Sequence, residues 1–80
     1  MEKITTAERK FLDYQYGLGG SFYNALVTVI LRADEINSAL LAQGYPELVE
    51  VVRRFHKEHG YWEDLQDRWN DFLKETKLEL

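Results

Sequence analysis

His56, His59 and Glu63 stand at i, i+3 and i+7, the interval that brings three side chains to one helical face, and two imidazoles with a carboxylate suit zinc or iron. Gly60 falls inside the set. A helix that ends there turns Glu63 out of line, and the spacing matches no metalloprotease or di-iron pattern. No metal and no cofactor is therefore expected, and His59 reads as the end of the apolar side of its helix, where the dipole favours its charge.

Gly17-Leu18-Gly19-Gly20-Ser21 sets glycines ahead of a helix start, where exposed backbone amides can hold an anion. No lysine follows in Walker fashion and no strand precedes, so neither nucleotide fingerprint is met. A cap and turn account for every residue. The functional alternative is a nucleotide-like anion at Gly19, Gly20 and Ser21, with Tyr14, Tyr16 or Tyr23 stacking on a base and Arg53 or Arg54 nearby. Arg53, Arg54 and Lys57 form a basic turn late in their helix. Such a turn complements the dipole, or offers a carboxylate or phosphate a two-pronged fork.

The last quarter of the chain carries Asp64, Asp67, Asp71 and Glu75 on one side of a helix, interrupted by Arg68, Lys74 and Lys77. This is a solvated face, or a weak imitation of a phosphate backbone. Together with Tyr14, Tyr45 and Tyr61, the residues Asp64, Asp67 and Asp71 make a candidate partner surface. No Ser/His/acid set or carboxylate pair has a spacing that indicates shared use, so the chain is not expected to be an enzyme.

Five glycines and one proline punctuate the sequence and divide it into an all-α bundle of three to four helices, about 6–16, 22–43, 46–59 and 61–77. Thr5-Thr6-Ala7-Glu8 has the form of a capping box, and Gly17 supplies the left-handed stop. Ser21 is placed to cap the second helix. That helix carries Phe22, Ala25, Leu26, Val29, Ile30, Ala33, Ile36, Leu40 and Leu41 at three-four spacing, which marks it as the central element. Asp34 could start a fresh helix, but the stripe keeps its register across it, so one long helix is expected. Pro46 sits where a first turn tolerates a missing N–H. The expected core draws on Phe11, Phe22, Leu26, Val29, Ile30, Leu40, Leu48, Val52, Phe55, Trp62, Leu65, Trp69 and Phe72.

At 80 residues, the chain reads as a single helical domain over 1–80, marginal in stability unless something helps it. Its 11 aromatic residues are more than so small a core hides easily, so some should line a self-association or partner surface. A net charge of −4 argues against direct nucleic-acid binding and against anionic membranes. The absence of cysteine fits a reducing compartment. Met1 to Thr6 lack the build of a signal peptide, and the longest apolar run, Ala25 to Leu31, is far short of a membrane span. A cytoplasmic location is expected.

Two passages, Gly19-Gly20-Ser21-Phe22-Tyr23-Asn24-Ala25-Leu26 and Gly44-Tyr45-Pro46-Glu47-Leu48-Val49 leading to Gly60-Tyr61-Trp62-Glu63-Asp64-Leu65, resemble small helical proteins of Gram-positive phages, prophages and mobile elements. The resemblance covers about residues 8–69 and implies a context, the host cytoplasm, and action by binding a host factor or a signalling molecule made by host defences. Three readings follow: a non-enzymatic accessory protein that binds a host or phage protein, an oligomer that sequesters a nucleotide-like signalling molecule, and a small structural or scaffolding homo-oligomer.

Overall fold

The computed structural model describes the backbone of residues 3–79 and the side chains of residues 3–75. Met1 and Glu2, and the side chains of Lys77 and Glu79 that contribute to the acidic C-terminal quarter, lie outside the described residues. Five helices follow one another: α1 Thr6–Gln15, α2 Ser21–Arg32, α3 Glu35–Gly44, α4 Pro46–Lys57 and α5 Tyr61–Glu79. The chain is all-helical, as its punctuation predicts, but with five helices rather than three to four.

The extra helix comes from a break in the segment expected to be continuous over 22–43. Ala33 and Asp34 are extended, with ψ of 138° and 179°, and the Asp34 carboxylate accepts a hydrogen bond from the Asn37 amide at 2.8 Å. An aspartate that satisfies an orphan amide of the next helix competes with continuation of the previous one, and here the cap prevails over apolar periodicity.

The other boundaries follow local chemistry. Thr5 Oγ1 accepts from the Glu8 amide at 3.1 Å while Glu8 Oε1 accepts from the Thr5 amide at 3.0 Å, closing the capping box. Gly17 and Gly60 have φ of 70° and 85°, the region glycine enters without steric cost. Pro46 opens α4. Gly20, not Ser21, occupies the cap position of α2, and α4 ends at Lys57, two residues before His59. His59 is therefore exposed beyond the helix rather than at the end of its apolar side.

The centre of the fold is α4, not the second helix, because α4 packs against α1, α2, α3 and α5. Its Leu48, Val51 and Val52 meet Phe11 and Leu12 of α1, Val27 and Ile30 of α2, and Tyr61, Leu65 and Trp69 of α5 in one buried cluster. Phe11, Phe55 and Trp62 add a three-ring contact with centroids 5.0 to 6.1 Å apart. Each fully buried apolar side chain contributes about 1.5–3 kcal/mol. No residue of α3 is buried, so that helix is held mainly by its edge against α4.

Candidate functional site

The most strongly organised polar feature is buried and joins the two ends of the chain. Glu8 and Arg68 are only 4% and 5% exposed. Arg68 Nη1 and Nη2 donate to Glu8 Oε1 and Oε2 at 2.9 and 2.8 Å, and the Tyr61 hydroxyl donates to Oε2 at 2.7 Å. With the Thr5 amide on Oε1, the carboxylate has two donors on each oxygen, which fills its acceptor capacity. Arg68 spends its remaining donors on Asp64, at 3.0 Å from Nε, and on the Lys3 carbonyl at 3.3 Å.

Burial pushes the Glu8 carboxyl up, but the hydrogen bonds from Arg68, the Thr5 amide and Tyr61, together with the Arg68 charge, outweigh it and hold the group at about 2. Burial, and then the neighbouring Glu8 carboxylate, push the Tyr61 phenol up. A carboxylate with every lone pair engaged is a structural anchor and has nothing left with which to accept a substrate proton. Sequence reasoning found Glu8 as a cap and missed this second role; Arg68 figured only as an interruption of the acidic stripe.

Beside this network lies an open groove of about 620 Å³, whose wall includes Thr5, Lys10, Tyr23, Tyr45, Glu47, Glu50, Arg54 and Tyr61. Lys10 Nζ lies 4.4 Å from the Tyr23 ring centroid and the Arg54 guanidinium 4.0 Å from that of Tyr61. Each cation thus already faces a π-surface. Arg54 also pairs with Glu58 at 2.8 Å, and Arg53 pairs with Glu50. The Glu58 contact raises the Arg54 pKa, and the Arg53 contact lowers that of Glu50.

Of the proposed anion-binding residues, the groove brings together Tyr23 and Arg54; Gly19, Gly20, Ser21 and Arg53 do not line it. The glycine loop has a packing role instead. Leu18 and Gly19 amides donate to the Asp13 carbonyl, and the Gly19 carbonyl accepts from Asn24 Nδ2 at 3.1 Å. A Cβ at position 19 would fall 2.5 Å from Asn24 Oδ1, so glycine is there to let that amide approach.

The proposed partner surface is divided as well. Tyr61 is 2% exposed and belongs to the core network, a correction that follows from its hydroxyl being needed by Glu8. Tyr14 is half-buried, with its hydroxyl 3.4 Å from Thr28 Oγ1. Asp64 leans on Arg68, while Asp67, Asp71 and Tyr45 are exposed. The break between Lys57 and Tyr61 puts His56 and Glu63 on different helices.

Exposed apolar side chains also stand on the outer side of α2 and α3. Phe22, Val29, Ile36 and Leu40 are 60%, 52%, 75% and 57% exposed. The break at Ala33 and Asp34 folds the two helices back so that the Phe22 and Tyr45 rings lie 6.4 Å apart, and Val29 and Leu40 line one hollow of about 480 Å³ with Arg32, Ala33, Asn37 and Leu41. Phe22 and Val29 are seven positions apart on α2 and Ile36 and Leu40 four apart on α3, so each pair shares a helical face, and Val29 and Leu40 bring the two faces to the same hollow. Three of them, Phe22, Val29 and Leu40, were expected in the core. Among the described residues no helix is long and apolar enough to cross a membrane.

No protein-family model, curated protein or solved structure matches the chain.

Proposed function

We propose that the protein is a non-enzymatic accessory protein, of the phage type its turn-and-core passages resemble, and that it works by docking a protein on the apolar face of α2 and α3. The observation that carries this reading is the exposure of Phe22, Val29, Ile36 and Leu40 on a single face. Contiguous apolar surface of this kind marks association sites, because leaving it in water forgoes about 25 cal/mol for every Å². The groove between α1 and α4 supports an anionic ligand less well: Glu47 and Glu50 stand on its wall, and both of its cations face tyrosine rings.

The test is retention of a defined protein, this chain included, on immobilised wild-type protein but not on an Ile36→Asp variant of unchanged helicity. Equal retention by the two would remove the face from the function.

A further inference from the structure

We propose that the occupant of the α2 and α3 face is a second copy of this chain, in a two-fold dimer that seats Ile36 of each copy in the hollow lined by Val29, Ala33 and Leu40 of the other. The inference rests on the docking reading above and names its partner.

Two observations converge on self-association. The first is shape. Among the described residues Ile36 is the most exposed large apolar side chain, and on α3 it stands four positions, one helical turn, before Leu40, which lines the hollow. A projection beside a recess is the arrangement that a two-fold axis makes self-complementary, since residue i then meets j and j meets i.

The second is charge. Residues 14–46 contain only three charged side chains, Arg32, Asp34 and Glu35, whereas the remaining 47 residues contain 21. Two chains of net charge −4 repel least where charge is sparse. Arg32 and Glu35 are exposed and bracket the helix break. They have opposite signs, and no ion pair within the chain engages either among the described residues. The same axis that seats Ile36 sets Arg32 against Glu35 of the partner subunit.

Sedimentation velocity between about 1 and 200 µM should give a species of twice the chain mass for the wild type and a monomer for Ile36→Asp. Because Ile36 is solvent-exposed in the monomer, circular dichroism of the variant should match the wild type. Arg32→Glu and Glu35→Arg should each weaken the dimer about tenfold, and the double reversal should recover it.

A wild-type chain that stays monomeric throughout overturns the proposal, as does an Ile36→Asp dimer of unchanged affinity or a double reversal as weak as the single ones. If the wild type is monomeric yet Ile36→Asp still loses another captured protein, self-association fails and the docking reading stands. If nothing is captured either, both fail.

Discussion

Arg68 grips Glu8 through two parallel hydrogen bonds of 2.9 and 2.8 Å, in a site where neither side chain is more than 5% exposed. The residues are 60 positions apart in the chain. In a domain whose total stability is on the order of 4–12 kcal/mol, this pair joins α1 to α5 beside the Phe11–Trp62 and Tyr16–Trp69 ring contacts.

Arg68→Met should therefore lower unfolding free energy by about 3–5 kcal/mol, since it strands a buried carboxylate without its counter-charge. Urea unfolding followed by fluorescence of Trp62 and Trp69 measures it. The combined Arg68→Met and Glu8→Gln variant should recover part of the loss, and a cycle with no coupling between the two positions would contradict the pairing.

Acid should act through the same carboxylate. The folded-state value for Glu8 is about 2, below the ordinary 4.5, so its contribution is complete above about pH 5 and is lost as pH falls towards 2. The loss is on the order of 3 kcal/mol across that window. Melting temperature against pH should fall steeply there for the wild type and less for Glu8→Gln.

Tyr61→Phe removes one of the four donors to Glu8 while keeping the ring in place. The expected cost is about 1.5–3 kcal/mol, the range for a hydrogen bond to a charged group. The variant should also begin its acid transition at higher pH, because the ionised carboxylate has lost a partner. An unchanged acid midpoint would mean that the phenol does not stabilise the charge.

Asp34→Ala should cost about 0.5–2 kcal/mol by uncapping α3, and amide hydrogen exchange should quicken in Glu35–Gly44 more than in α2. Uniform change across both helices would show that they behave as one element.

Sequence alone conveyed the features governed by neighbours within a few positions. Thr5 with Glu8, the left-handed Gly17, the break at Gly60 and Pro46 at a helix start all act through local backbone chemistry, and all are found as read. Two things were not legible. The pairing of Glu8 with Arg68 leaves no periodic trace, because nothing local distinguishes a capping glutamate that also takes a distant arginine.

The second is the phase of α2, which is apolar on two sides. Tyr23, Val27 and Ile30 form one stripe and Phe22, Ala25 and Val29 another, roughly 130° away at 100° per residue. Spacing could not say which stripe faces inward. The structure buries Val27 and Ile30 and exposes Phe22 and Val29, so the long stripe that argued for a continuous helix is largely the outer one. Of the residues proposed to bind, the groove unites only Tyr23, Tyr45, Tyr61 and Arg54. Arg53 on α4 and Asp64, Asp67 and Asp71 on α5 share helices with groove residues but do not line it.

The distance between Glu8 and Arg68 along the chain also couples two elements that share no sequence neighbourhood. Opening α5 withdraws the guanidinium and leaves the Glu8 carboxylate buried without its counter-charge. A disturbance that loosens α5 is thereby felt at the capping box that starts α1.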